Sequence, residues 1–128
     1  MRAPEQLGPY TYRQSECCFP LGQDSLLLAG FATLRKGDRV WDLGCGAGAL
    51  LLLLAARAEA LSLTGVELSG PDSELARENL AWNGLTGTIH TGDIRALELP
   101  AGAASLVVCN PPYFRPGSGA PGGTARMG

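Results

Sequence analysis

RVWDLGCGAGALLLLLAA, residues 39–56, decides the fold. Arg39-Val40-Trp41-Asp42-Leu43 is a short, mostly apolar run that reads as a buried strand. Gly44-Cys45-Gly46-Ala47-Gly48 breaks it, because glycines let a backbone turn sharply and come close to a ligand. Leu50 to Ala58 follows, rich in Leu and Ala and too long for a typical strand, so it reads as a helix. Open α/β sheets bind their ligands at such a strand–turn–helix junction.

The same alternation continues outward. Leu63 to Leu68 reads as a second strand ending at Glu67, and Pro71 sits in the first turn of a helix whose N-terminal end Asp72 and Glu74 favour. That helix runs through Leu75, Ala76 and Leu80 and stops near Gly84. Thr88 to Thr91 is a third strand, followed by Gly92-Asp93, and Ser105 to Cys109 is a fourth. Upstream, Asp24 is a candidate N-cap and Gly37 a candidate stop for a helix carrying Leu26-Leu27-Leu28. Short apolar strands alternating with helices predict a parallel sheet of about four strands with helices on both faces. Residues 1–22, punctuated by Pro4, Gly8 and Pro9, read as irregular. Residues 23–114 form the core, and 115–128, dense in Gly and Pro, read as a flexible loop or tail.

Composition narrows the function. The 128 residues suffice for one domain, and 45% hydrophobic content fits an ordinary globular core. A formal charge of -2 is poor bait for nucleic acid unless a local patch supplies the attraction. The longest apolar run, Ala49 to Ala56, is far short of the roughly 20 residues of a membrane span. With no signal-peptide pattern at the start, the expected location is cytoplasmic, with no membrane partner. Cys17 and Cys18 are adjacent, Cys45 and Cys109 stand apart, and His90 is the single histidine, so no metal site is expected.

The glycine pattern leaves two readings open. With Ala49 in its third place it fits a dinucleotide-binding G-x-G-x-x-G/A pattern. Yet Asp42 stands two residues before Gly44, and a diphosphate there would meet a carboxylate. A ligand carrying an ammonium and a sulfonium, such as S-adenosylmethionine, would be attracted instead. Glu67 at the end of the second strand suits two ribose hydroxyls, and Asp93 after the third suits an adenine amino group. Turn and cap chemistry is the competing account, above all for Asp93 beside Gly92.

Together, these motifs resemble those of the S-adenosylmethionine-dependent methyltransferases of the Rossmann-like class. "DLGCGAG" (Asp42–Gly48) matches their first motif, "GVEL" (Gly65–Leu68) their second and "GDI" (Gly92–Ile94) their third. The resemblance implies that Asp42, Gly44, Cys45, Gly46, Gly48, Glu67, Leu68, Asp93 and Ile94 bind the donor. Asp24, in Gly22-Gln23-Asp24, occupies the place of a Gly-x-Asp that borders the donor, and a helix cap accounts for it equally well.

"NPPY", Asn110-Pro111-Pro112-Tyr113, is similar to the fourth motif of enzymes that methylate an amino group conjugated to a ring or carbonyl. By that resemblance, the Asn110 side-chain oxygen and the Pro111 carbonyl accept the two N–H groups of the target nitrogen. Pro112 stiffens the backbone, and Tyr113 stacks on a flipped base. "NPPYF" resembles bacterial tRNA adenine-N6-methyltransferases, whereas protein-glutamine methyltransferases more often continue with isoleucine. The expected function is therefore N6-adenine methylation of tRNA. The alternatives are protein-glutamine methylation or a non-catalytic donor-binding fragment.

The class has seven strands and this chain supplies four, so the chain reads as truncated. The missing half would supply most of the grip on tRNA. The fourth strand would then be an exposed apolar edge, open to self-association.

Overall fold

The computed structural model describes residues 3–14, 33–109 and 123–125. Seven strands and two α-helices are defined among them. The strands are β1 (Glu5–Leu7), β2 (Tyr10–Tyr12), β3 (Arg39–Leu43), β4 (Ser62–Glu67), β5 (Gly87–Thr91), β6 (Leu106–Cys109) and β7 (Gly123–Ala125). The helices are α1 (Ala49–Ala55) and α2 (Gly70–Trp82), and a 3-10 turn spans Ile94–Ala96.

β3 to β6 form a parallel sheet, and with β7 the strand order is β5-β4-β3-β6-β7. The chain moves from β3 to β4 and β5 on one side, then returns to place β6 on the other. The order therefore reverses between β3 and β6, and in open α/β sheets the ligand crevice opens at that point, beyond the carboxyl ends of the strands.

Strand parity shows which face is covered. Val40, Leu63, Ile89, Leu106 and Val108 join one apolar cluster with Leu50, Leu51, Leu52 and Leu54 of α1 and Leu75, Ala76 and Leu80 of α2. Register puts Val40 beside both Leu63 and Leu106, so these residues share a face. Both described helices thus pack on that one face. The reason lies in the β5–β6 connection, which contains a single 3-10 turn and no α-helix. On the opposite face, the Trp41 ring stacks on His90, centroids 5.8 Å apart, and its indole N–H donates to the Ala103 carbonyl at 3.2 Å.

Gly65 on β4 is fixed by crowding. A Cβ there would lie 2.7 Å from Cys45 Sγ and 2.9 Å from Ile89 Cδ1. Gly65→Ala should therefore cost about 1–3 kcal/mol, as overpacking does. The check is the denaturant midpoint, and Cys45→Ala in the same chain should restore part of the loss. An unchanged midpoint would contradict the close approach.

Two expectations are corrected. The segment 1–22 is not irregular throughout: β1 and β2 pair as an antiparallel hairpin, Glu5 with Tyr12 and Leu7 with Tyr10. Three-residue strands carry too little pattern to read, although Gly8-Pro9 marks the turn between them. The hairpin docks on α2 through two asparagines one helical turn apart. Asn83 Oδ1 accepts from the Thr11 N–H at 2.9 Å and its Nδ2 donates to the Thr11 carbonyl at 2.8 Å. Asn79 makes the same pair of bonds with Arg13, at 3.0 and 2.7 Å. Each carboxamide thus stands in for a neighbouring strand.

The second correction concerns the chain end. β7 pairs antiparallel with β6, Val107 with Ala125 and Cys109 with Gly123. The β6 edge is therefore not left exposed for self-association, and 115–128 is not a flexible tail throughout. Gly-Thr-Ala has no apolar period to betray a strand, and the unpaired backbone groups of β6 supply the pairing. The helix expected between Asp24 and Gly37 falls mostly outside the described residues. No helix among those described is long and apolar enough to cross a membrane.

Candidate functional site

The glycine loop, residues 44–48, leaves β3 and enters α1 with positive φ at Gly44, Gly46 and Gly48 (81°, 55° and 94°). Four of its five amides donate inside the protein. The Gly44 and Cys45 N–H groups both donate to the Val66 carbonyl, at 2.7 and 3.0 Å. The Gly46 N–H donates to Glu67 Oε1 at 2.8 Å, and the Gly48 N–H to the Cys45 carbonyl at 2.9 Å. A diphosphate cradle needs such amides pointing at the ligand. Here the amides of Gly44, Cys45 and Gly46 are turned to β4, which weakens the support for the dinucleotide reading.

Glu67 is the hinge of this arrangement. One carboxylate oxygen holds Gly46, and the other accepts from the Ser69 N–H at 2.9 Å. Ser69 in turn caps α2, its hydroxyl accepting from the Asp72 N–H at 3.3 Å. A carboxylate oxygen can take two donors, so Glu67 retains acceptor capacity for hydroxyl groups. Leu68, next in the chain, is 68% exposed and offers an apolar surface beside that carboxylate.

Asp42 is 1% exposed, and its Oδ1 is buried with no hydrogen-bond partner among the described residues. Burial, and secondarily the charge of Glu67, push its carboxyl up to about 7. Burial also pushes the Cys45 thiol up, with Asp42 and Glu67 adding to it, so Cys45 is a packed, unreactive group. A buried carboxylate lacking a donor fits a ligand that brings a cation. Asp42, Glu67 and Leu68 therefore suit the ammonium, the hydroxyls and the apolar ring of an S-adenosyl group.

The Asp42 shift has a consequence for stability. The folded protein holds this proton more tightly than the unfolded chain, so stability falls as pH rises from about 4 to about 7, then levels. By linkage the change is on the order of 4 kcal/mol. Asp42→Asn should lack this component, so the difference in stability between the two proteins should grow across that window. Parallel pH profiles of unfolding for the two would contradict it.

Asp93 has a different setting. It caps the 3-10 turn through the Arg95 N–H at 2.9 Å and pairs with the Arg95 guanidinium at 2.7 Å. Hydrogen bonds from Arg95 hold its carboxyl down at about 2. Turn chemistry thus accounts for Asp93 as it stands. Ile94 reaches toward the loop, its Cδ1 3.8 Å from where a Gly44 Cβ would be.

Asp24, Asn110, Pro111, Pro112 and Tyr113 lie outside the described residues. Cys109 pairs with Leu43, the residue before Gly44, and Asn110 is the next residue in sequence. Burial, then the charge of Asp42, raises the Cys109 thiol, which ties this strand end to the same electrostatic site.

Sequence reasoning missed Asn79. It is 1% exposed, and besides holding Arg13 it donates to the Ala47 carbonyl of the glycine loop at 2.9 Å. Its only signal was the i, i+4 spacing with Asn83.

Comparison with known proteins agrees with this geometry. The model of the methyltransferase small domain family matches residues 22–124. A tRNA1(Val) (adenine(37)-N6)-methyltransferase of Cronobacter sakazakii is 34% identical over 125 residues, covering 91% of this chain and 51% of that protein. Its counterpart from Musicola paradisiaca is 39% identical over 106 residues, covering 79% and 42%. The chain thus spans about half the length of the curated relatives it matches. Among solved structures, a Pyrococcus abyssi tRNA (uracil-54, C5)-methyltransferase in complex with S-adenosyl-L-homocysteine superposes with a TM-score of 0.69 at 22% identity, covering 86% of this chain and 28% of that one. A methyltransferase from Thiobacillus denitrificans, also with S-adenosyl-L-homocysteine, gives 0.59 at 22%, covering 82% and 38%. These two similarities concern the fold. With the glycine loop, the acidic strand ends and the parallel sheet in place, the chain belongs to the methyltransferase small domain family.

Proposed function

We propose that this chain is the donor-binding part of an S-adenosylmethionine-dependent methyltransferase that modifies the N6 amino group of an adenine in tRNA. The observation that carries the donor assignment is the Asp42 oxygen, buried and without a hydrogen-bond partner among the described residues, beside a glycine loop in which four of five amides donate within the protein. Similarity to the tRNA1(Val) enzymes over most of this chain carries the substrate assignment. A cytoplasmic location accords with a tRNA substrate.

In this reading Asp42 faces the ammonium of the donor, Glu67 accepts from its ribose hydroxyls, and Leu68 and Ile94 border its ring. Asp93 reaches the adenine amino group only by giving up part of its bonding to Arg95. The donor supplies an electrophilic methyl group on a sulfonium. An exocyclic amine is a poor nucleophile, because its lone pair is delocalised into the ring. Asn110 and the Pro111 carbonyl accept its two N–H groups and favour a tetrahedral nitrogen, so that the lone pair is free to attack. Pro112 adds no competing donor, and Tyr113 stacks on the base. The pairing of Leu43 with Cys109, the residue that precedes Asn110 in sequence, supports this division of labour.

The test is transfer of labelled methyl from S-adenosylmethionine to tRNA that lacks the modification, with release factor as the competing acceptor. A protein of the relatives' full length carrying these motifs should label the tRNA at adenine N6. Label on a release-factor glutamine would replace this reading with the other.

A further inference from the structure

We infer that Asn79 is a positioning residue that couples docking of the N-terminal arm to binding of the donor at the glycine loop. The inference rests on the donor-site reading above and deepens it.

The carboxamide of Asn79 is buried and spends all its hydrogen bonds on two segments far apart in sequence. Oδ1 accepts from the Arg13 N–H at 3.0 Å. One proton of Nδ2 goes to the Arg13 carbonyl at 2.7 Å and the other to the Ala47 carbonyl at 2.9 Å. A carboxamide is planar and rigid, so a rotation that loosens one of these bonds misaligns the others. The glycine loop is therefore held from two sides. Val66 and Glu67 fix its amides, and Asn79 fixes its Ala47 carbonyl. One helical turn earlier, Ala76 packs against Gly48, its Cβ 3.5 Å from where a Gly48 Cβ would be, so α2 has little slack against the loop.

Asn83 provides an internal comparison. It makes the same two bonds to the arm, with Thr11, but its Nδ2 also donates to the carbonyl of Asn79, within its own helix, at 2.7 Å. Asn83 thus docks the arm without touching the loop, whereas Asn79 docks the arm and holds the loop. A ligand that orders the loop should then favour the docked arm. By linkage, the docked arm should favour the ligand by the same factor.

The experiment compares the full chain, Asn79→Asp and Asn83→Ala by S-adenosylhomocysteine titration and by amide exchange at Tyr10–Arg13. Asn79→Asp keeps the acceptor for the Arg13 N–H and removes both donations. In the unsubstituted chain, S-adenosylhomocysteine should slow exchange of the Arg13 amide several-fold. Asn79→Asp should weaken binding by roughly tenfold, within the usual range of coupling between sites, and abolish that slowing. Asn83→Ala should speed exchange at Thr11 but leave Arg13 docked on Asn79, the contact that is coupled to the loop, and so leave affinity within about twofold. Equal losses of affinity in the two variants would reduce Asn79 to ordinary support of the arm and overturn the coupling. Should Asn79→Asp fail to fold, the unsubstituted chain decides: bound ligand with unchanged Arg13 exchange overturns the proposal. Absence of S-adenosylhomocysteine binding to the unsubstituted chain is a separate result, which overturns the donor-site reading and this inference with it.

Discussion

Asn110→Ala should lower kcat for adenine methylation by about 10²–10³ and leave donor affinity nearly unchanged. The proposed partner of Asn110 is the nucleophile. Its oxygen accepts an N–H that becomes more acidic as positive charge develops on nitrogen, so the bond strengthens on the way to the transition state. Losing it falls on kcat, whereas losing a uniform binding contact would fall on KM. Single-turnover methylation of unmodified tRNA, in a protein of the relatives' full length with this motif, separates the two. Tyr113 should behave differently. Tyr113→Phe should be nearly silent and Tyr113→Ala should weaken capture of the base by roughly 1–3 kcal/mol, because stacking needs the ring and not the hydroxyl. A normal kcat in Asn110→Ala would leave "NPPY" as a turn and nothing more.

The second large effect is expected at Glu67. Glu67→Ala removes the acceptor for two observed backbone donors, Gly46 and Ser69, as well as the proposed acceptor for the donor's ribose. Bonds to a charged group contribute about 1.5–3 kcal/mol, so donor affinity should fall by roughly 10- to 150-fold. Glu67→Gln is the informative companion. Its amide can present an oxygen to only one of the two backbone N–H groups and sets an NH2 against the other. It should therefore lose affinity too, although its size and shape are preserved. Calorimetric titration of both variants checks this, and unchanged affinity in Glu67→Ala would remove Glu67 from the site.

The parts of the fold that the sequence revealed are those where local pattern and burial agree. Arg39–Leu43, the glycine break and the leucines of α1 are legible because a buried parallel strand must be apolar and its turn must bend sharply. Glu67 and Asp42 stand out for the opposite reason: a carboxylate at the end of an apolar strand has no packing purpose. What could not be read depends on partners distant in the chain. β1, β2 and β7 are three residues each, and their pairing is decided by backbone groups of other segments. Asn79 looks like an ordinary helix residue until Arg13 and Ala47 are brought against it. The dinucleotide alternative also needed coordinates. Only the hydrogen bonds from Gly44 and Cys45 to Val66 and from Gly46 to Glu67 show that most of the loop's amides are turned away from a diphosphate.

Titration calorimetry of the chain with S-adenosylhomocysteine and, separately, with NAD at pH 8 tests the central claim most directly. Above the Asp42 pKa of about 7 the buried carboxylate is charged and best able to receive an ammonium. The account predicts one molecule of S-adenosylhomocysteine bound per chain, with affinity falling as pH drops through 7 and falling sharply in Glu67→Ala. It predicts no heat from NAD at the same concentrations. Binding of NAD, with S-adenosylhomocysteine silent, would contradict it.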